Sequence, residues 1–172
     1  MADLFDPRRT ALVLIDLIDR IVDQPLQPRP GREVVATAES LATAFREHGA
    51  PVVLVRVERP NVAEQPPGSG LVAGLLQDGD VEIVKRTIGG FQGTGLDDRL
   101  RERNVETLVF AGIATNLGVE STARAALDHG YRLIFVEDAM TAFTAEEHQA
   151  AVELDFPRLG TVIAAADLGF TG

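Results

Sequence analysis

The chain has 172 residues, of which 45% are hydrophobic and 24% are charged. A domain of that length buries about 70% of the surface that its unfolded chain exposes, so it can form a hydrophobic core without disulfide bonds. The absence of cysteine excludes disulfides, zinc–thiolate sites, iron–sulfur clusters and a thiol nucleophile. The formal net charge of −10 opposes nucleic-acid binding, because contacts to phosphate need clustered lysine and arginine.

The location of the protein is predicted from its N-terminus and its apolar runs. The first residues lack the basic-then-apolar layout of a secretion signal. No apolar run approaches the ~18 residues that a membrane span requires. No repeat or linker marks a second domain. We therefore expect one cytoplasmic domain over residues 1–172 that binds neither nucleic acid nor membrane.

Apolar segments of strand length alternate with longer amphipathic segments along the chain. The predicted strands cover residues 11–15, 51–57, 81–84, 107–111, 133–136 and 161–164. Most of these segments are continuously apolar, which is typical of strands buried on both faces of a parallel sheet. Strands that alternate with helices imply right-handed crossovers and a doubly wound sheet.

The helices are predicted from apolar spacings of three and four residues. They cover residues 32–48, 96–103 and 118–129. Thr144 and Glu147 form a capping box that begins a further helix, and Pro157 is expected to end it. Residues 61–70 contain two prolines and two glycines. Two interpretations of this irregular segment stay open: a loop over one edge of the site, or an ordinary surface loop.

Polar residues follow three of the predicted strands, where ligands of open parallel sheets bind. Asp16 follows the first strand, Lys85 follows the third, and a turn over residues 112–118 follows the fourth. A strand that runs directly into a helix exposes unpaired backbone N–H groups that can hold an anion. Gly118 lets a ligand approach this backbone without a side chain in the way. An ordinary helix start, capped by Thr115 or Asn116, is the alternative.

The sequence resembles the isochorismatase-like hydrolases, which include nicotinamidases and related cysteine amidases. An apolar strand that ends in the catalytic Asp is matched by residues 11–16. A lysine that precedes a small-residue loop and a Phe is matched by residues 85–91. A Thr-containing turn into the nucleophile's helix is matched by residues 112–122. The resemblance implies a three-layer α/β/α, Rossmann-like fold with a six-stranded parallel sheet, and members are commonly dimers or larger.

Two positions and one segment differ from the family pattern. The amidases carry a cysteine where this chain has Gly118, and many relatives carry Gln where it has Ile18. The metal-binding Asp and His cluster of the nicotinamidases has no counterpart in residues 56–60. We therefore expect no metal and no cofactor, and we expect a small-molecule substrate and a homo-oligomer.

The resemblance also implies roles for individual residues. Asp16, Lys85 and Gly118 are the expected catalytic positions, and the peptide bond between Ile113 and Ala114 is expected to be cis. Three residues of the turn are expected to contact substrate, together with Phe91 as a wall of the pocket: Ala114, Thr115 and Asn116. A core position is the commoner role for such a phenylalanine.

Glycine at position 118 excludes covalent catalysis from that residue, and three hypotheses remain. The first is a hydrolase that cleaves a vinyl ether such as isochorismate, as the family's true isochorismatases do without a covalent intermediate. Asp16 would then donate the proton, and Lys85 would orient it and the substrate carboxylate. The second is a relative that has lost its nucleophile and binds a small ligand or a partner. The third is an engineered replacement of cysteine by glycine.

Overall fold

The computed structural model describes residues 3–171. The strands are β1 (Asp3–Phe5), β2 (Thr10–Ile15), β3 (Val52–Val57), β4 (Val81–Lys85), β5 (Thr107–Ile113), β6 (Arg132–Thr141), β7 (Thr161–Ile163) and β8 (Leu168–Phe170). The α-helices are α1 (Asp19–Val22), α2 (Gly31–Glu47), α3 (Leu96–Arg101), α4 (Glu120–Asp128), α5 (Ala145–Ala150) and α6 (Phe156–Leu159). Two π-helical turns, Thr115–Val119 and Ala151–Asp155, and one 3₁₀ turn, Ala165–Asp167, complete the elements.

Six strands form one parallel sheet in the order β4-β3-β2-β5-β6-β7. The chain first winds outward from β2 to β4, and then returns to the centre and winds the other way from β5 to β7. The order therefore reverses between β2 and β5, which are paired from Thr10↔Thr107 to Ile15↔Gly112. This confirms the predicted α/β fold with a doubly wound, six-stranded parallel sheet.

Alternate residues of each strand pack on opposite faces of the sheet and give the three layers. In β2, Leu12 and Leu14 face a core shared with α1 and α2. Ala11, Val13 and Ile15 face the other core, which contains residues of α3, α4 and α6. All five side chains are almost completely buried, so β2 is covered on both faces as its continuous apolar run predicts.

Gly112 allows β5 to approach the end of β2. Its φ is 127°, a conformation that residues with a side chain rarely adopt. A Cβ atom at this position would lie only 2.2 Å from the backbone oxygen of Ile15. Glycine is therefore required for the two central strands to end side by side at the switch point.

The structure corrects one detail of the predicted helices. Pro157 does not end the helix that the Thr144 capping box begins, because the chain continues through the π-turn Ala151–Asp155 into α6. Pro157 lies in the first turn of α6, where its missing N–H is not needed. The Thr144 cap itself is present, with its Oγ1 accepting from the Glu147 N–H at 3.2 Å.

The small parallel sheet of β1 and β8 was not predicted, because both strands have only three residues. The predicted domain over residues 1–172 extends to Met1, Ala2 and Gly172, which lie outside the described residues. In the part of the chain that is described, no helix has both the length and the apolar character needed to cross a bilayer.

Candidate functional site

The carboxyl ends of β2, β4 and β5 bring three predicted site residues together. Asp16 directly follows β2, Lys85 is the last residue of β4, and Gly118 lies in the π-turn that follows β5. The site lies at the point where the strand order reverses, as expected for a doubly wound sheet. Since β3 lies between β2 and β4, the long Lys85 side chain extends over one intervening strand to reach Asp16.

Asp16 is buried and held in an unusual backbone conformation. Its φ is 52°, in the left-handed region, which costs about 1–3 kcal/mol and is tolerated best by Asn and Asp among residues with a side chain. Its amide donates to the Val55 carbonyl at 2.7 Å. Burial raises the pKa of the Asp16 carboxyl above its usual value, and the positive charge of Lys85 opposes this rise only in part.

The two oxygens of the Asp16 carboxyl have different surroundings. Oδ2 lies 2.8 Å from Lys85 Nζ, with the two side chains 7% and 2% exposed. Oδ1 is buried and has no hydrogen-bond partner among the described residues. Lys85 Nζ also donates to the Ile88 carbonyl, which fixes the ammonium group. The pair therefore leaves one buried carboxyl oxygen without a hydrogen-bond partner in the described part of the chain.

Gly118 lies directly against this ion pair. A Cβ atom at position 118 would lie 3.0 Å from Ile15 Cγ2, 3.1 Å from Asp16 Oδ2 and 3.3 Å from Lys85 Nζ. These separations are shorter than ordinary van der Waals contacts, so a side chain here would have to displace the pair by a few tenths of an ångström. Position 118 therefore faces the ion pair, and the pair as it is placed leaves space for glycine only.

A cavity of about 400 Å³ opens above the ion pair. Besides Asp16, Lys85 and Gly118, it is lined by Arg20, Ile21, Val57, Glu58, Arg59, Pro60, Arg86, Thr87, Ile88, Ile113, Ala114, Leu117 and Phe143. The Ile113–Ala114 peptide at its floor is cis, as the family resemblance implied. The irregular loop over residues 61–70 does not line this cavity. The loop bonds one residue that does line the cavity, because the Arg20 amide donates to the Gly68 carbonyl at 2.9 Å.

The four residues predicted to contact substrate lie in different places. Ala114 lines the cavity. Phe91 does not; its ring stacks on His129 with ring centres 4.9 Å apart, beside a separate depression. Thr115 and Asn116 do not line the cavity either. The N-cap position of the π-turn is occupied by Ala114 and by neither Thr115 nor Asn116, and no side chain of the described residues makes a capping hydrogen bond there.

Sequence reasoning missed the role of His148 in supporting the turn. Its Nδ1 lies 2.7 Å from Thr115 Oγ1 and its Nε2 lies 3.4 Å from Glu137 Oε2, and both Thr115 and His148 are buried. Arg29 in turn bonds the Glu137 backbone oxygen at 2.9 Å. Buried histidines need partners for both ring nitrogens, but the identity of those partners depends on tertiary packing.

Glu58, the residue that follows β3, forms ion pairs with two arginines. Arg56 lies 2.8 Å from Glu58, and Arg86 lies 2.9 Å from the other oxygen of the same carboxylate. These arginines lower the pKa of the Glu58 carboxyl. Within residues 3–171, no group of three or more His, Asp or Glu side chains is arranged to hold a metal ion.

The site and the fold have counterparts among known proteins. Residues 10–167 match the family model described as the Isochorismatase domain. The chain belongs to the isochorismatase family. The family assignment predicted from the residues at the strand ends is thereby confirmed, and the protein is an isochorismatase-family hydrolase by descent and fold.

Two relatives and one solved structure extend along nearly the whole chain. The isochorismatase-family protein YecD of Escherichia coli O157:H7 is 40% identical over 172 residues, covering 90% of this chain and 92% of its own. YwoC of Bacillus subtilis strain 168 is 40% identical over 173 residues, with 90% and 89% covered. An isochorismatase-family structure from Burkholderia thailandensis superposes with a TM-score of 0.85 at 36% identity, covering 98% of this chain and 97% of that one.

Proposed function

We propose that this isochorismatase-family protein hydrolyses the vinyl ether bond of a small organic substrate, with Asp16 as general acid and without a covalent intermediate. The observation that carries the proposal is the buried carboxyl of Asp16, a residue that lines the cavity and whose Oδ1 lacks a partner among the described residues. An acid that acts near neutral pH needs a raised pKa, and burial raises the pKa of Asp16.

The ion pair determines which oxygen carries the proton. Lys85 Nζ stabilises negative charge on Oδ2, which lies 2.8 Å away. A proton on the carboxyl therefore resides on Oδ1, the oxygen that has no other partner in the described chain. In this role Lys85 acts on the orientation and charge of Asp16 through direct contact with its carboxyl.

The proposed reaction begins with transfer of the Oδ1 proton to the terminal carbon of the vinyl ether. The ether carbon becomes an oxocarbenium ion, which adds the oxygen of a water molecule. The water proton returns to the Asp16 carboxylate and leaves a hemiketal. The C–O bond of the former ether then breaks while the hemiketal hydroxyl loses its proton and the leaving oxygen gains one, which gives a ketone and an alcohol. No residue needs to attack the substrate, which is consistent with glycine at position 118.

The experiment is a pyruvate-release assay with isochorismate as substrate. We expect turnover by the parent protein, a loss of about 10²–10⁴-fold in Asp16→Asn, and no covalent adduct in the mass spectrum of the quenched protein. Circular dichroism of Asp16→Asn checks that the fold is retained. Full activity in Asp16→Asn would end this mechanism.

The second candidate function is binding of a small ligand or partner without turnover. It is favoured by Gly118, which stands where the resembled amidases carry their nucleophile. Thermal-shift screening of small amides, vinyl ethers and carboxylates separates the two functions. A compound that stabilises the parent protein and is recovered unchanged supports binding, since a ligand at 100 times its dissociation constant adds about 2.7 kcal/mol.

A further inference from the structure

The charges that line the cavity do not cancel. Asp16 pairs with Lys85, and Glu58 pairs with both Arg56 and Arg86. Arg20 and Arg59 also line the cavity, and neither forms an ion pair with a carboxylate of the described residues. A protein with a formal net charge of −10 thus places two uncompensated positive charges at one cavity. Such a local excess attracts and retains anions.

Among the described residues, the guanidinium of Arg20 is held through only one of its three nitrogens. Its Nε donates to Ser69 Oγ at 3.0 Å, and Ser69 Oγ donates to the Pro66 carbonyl at 2.7 Å. Ser69 is buried, so this contact fixes the guanidinium relative to the loop. The two terminal nitrogens of Arg20 have no hydrogen-bond partner among residues 3–171. They form the planar fork that binds a carboxylate through two parallel hydrogen bonds.

Apolar side chains surround the rest of the cavity mouth. Ile88, Leu117 and Phe143 line it and remain 62%, 44% and 45% exposed. Large hydrophobic side chains that stay exposed around one cavity mark a site where an apolar surface binds. The cavity therefore combines an apolar rim with a cationic side and a buried carboxyl at its floor.

We infer that the ligand of this cavity is a small organic carboxylate with an apolar body, and that Arg20 is the residue that selects its carboxylate. The apolar body packs against Ile88, Leu117 and Phe143, while the fork of Arg20 binds the carboxylate near the cavity mouth. Arg59 adds a second positive charge to the same side. This inference rests on the proposed function, because it names the substrate class of the same cavity.

The test measures binding, so that it is independent of turnover. Benzoate, benzamide and inorganic phosphate are titrated calorimetrically into the parent protein, Arg20→Gln and Arg158→Gln. Arg158 lies exposed on α6, away from the lining residues, and its replacement removes the same charge. Thermal unfolding of both variants checks that the fold is retained.

We expect benzoate to bind the parent more tightly than either benzamide or phosphate. Arg20→Gln should weaken benzoate binding by about 10- to 100-fold, the effect of a lost charge-assisted hydrogen bond, and leave benzamide unchanged. Arg158→Gln should leave both unchanged. The inference is overturned if benzamide binds as tightly as benzoate, if phosphate does, or if the two arginine variants weaken benzoate equally.

Failure of this inference and failure of the proposed function are distinguishable. Benzoate binding that depends on Arg20, in a protein that releases no pyruvate, retains the inference and rejects vinyl ether hydrolysis. Turnover that depends on Asp16 and is unaffected in Arg20→Gln retains the proposed function and rejects Arg20 as the selecting residue. Benzoate binding that strengthens on dilution, together with a fall of mass in light scattering, would assign the apolar rim to a second copy of the chain and reject the inference.

Discussion

Asp16 Oδ2 lies 2.8 Å from Lys85 Nζ, although β3 separates the strands that carry the two residues. Two strand spacings, about 10 Å in total, separate β2 from β4, so only a long side chain bridges that gap. Each member of the pair is buried, so each depends on the other for compensation of its charge. Their coupling links the stability of the fold to the protonation of the proposed acid.

Replacement of Lys85 by methionine should destabilise the protein in a pH-dependent way. The variant leaves the Asp16 carboxyl without its opposing charge, so its pKa rises further. A carboxyl whose folded-state pKa is raised stabilises the fold below its unfolded pKa of about 3.9 and loses that contribution as pH rises through the folded pKa. Urea unfolding should show a loss of about 3–5 kcal/mol at pH 8 and a smaller loss at pH 5.

The double variant Asp16→Asn with Lys85→Met is the control for this prediction. It has no buried charge at either position, so the pH dependence of the loss should disappear and part of the stability should return. Equal losses in Lys85→Met at pH 5 and pH 8 would show that the pair is not coupled in the folded protein.

The activity should decline as pH rises through the pKa of Asp16. Burial places this pKa above its usual value of 3.8, and the proposed acid must be protonated to react. Above the pKa, kcat/KM for vinyl ether hydrolysis should fall tenfold per pH unit. Lys85→Met should move this decline to higher pH, a shift that a purely structural role of the lysine would not produce. A profile that rises with pH would assign Asp16 as a base.

Gly118→Ala should reduce activity more than it reduces stability. The added Cβ would crowd Asp16 Oδ2 at 3.1 Å and Lys85 Nζ at 3.3 Å. Crowding costs about 1–3 kcal/mol and the higher helix propensity of alanine returns up to about 1 kcal/mol, so a net loss of ~1 kcal/mol is expected. Displacement of the acid should lower kcat at least tenfold. Gly70→Ala, where an added Cβ meets nothing within 4 Å, is the matched control.

The sheet and the position of the site could be predicted because local signals determine them. Continuous apolar runs such as residues 11–15 specify buried parallel strands, and the polar residue that ends each run marks the ligand-binding edge. Asp16 and Lys85 were found in this way, although 69 positions separate them in the sequence. The roles assigned to these residues stay predictions.

Features that depend on long-range packing could not be predicted. The sequence does not reveal that Arg20 contacts Ser69, 49 positions away. Nor does it reveal that Phe91 stacks on His129 and does not line the cavity. A π-turn forms at Thr115–Val119, where a capped α-helix was an alternative, with Ala114 at its N-cap position and the Thr115 hydroxyl in contact with His148. In each case a polar or aromatic side chain has several partners within reach, and the global fold selects one.

Nδ1 of the buried His148 ring lies 2.7 Å from Thr115 Oγ1. A carboxylate only accepts hydrogen bonds, so Glu137 favours the ring with its proton on Nε2, and Nδ1 then accepts from the Thr115 hydroxyl. Burial lowers the pKa of His148 below its usual 6.5, and the nearby Arg29 lowers it further, while Glu137 opposes the change. Protonation makes Nδ1 a donor to the Thr115 hydroxyl and places a positive charge in a buried site, which is the main reason that the pKa is lowered.

His148→Leu should therefore cost about 1–3 kcal/mol at pH 7.5, since it leaves the buried Thr115 hydroxyl without its acceptor. A histidine with a lowered folded-state pKa stabilises the fold above about pH 6.5, and this contribution declines as pH falls from there toward the folded pKa. Urea unfolding should thus show a smaller difference between parent and variant at pH 5. Thr115→Val in both backgrounds completes a double-mutant cycle, in which the two losses should overlap by about 1 kcal/mol. Strictly additive losses, or a difference that grows at pH 5, would contradict the assignment.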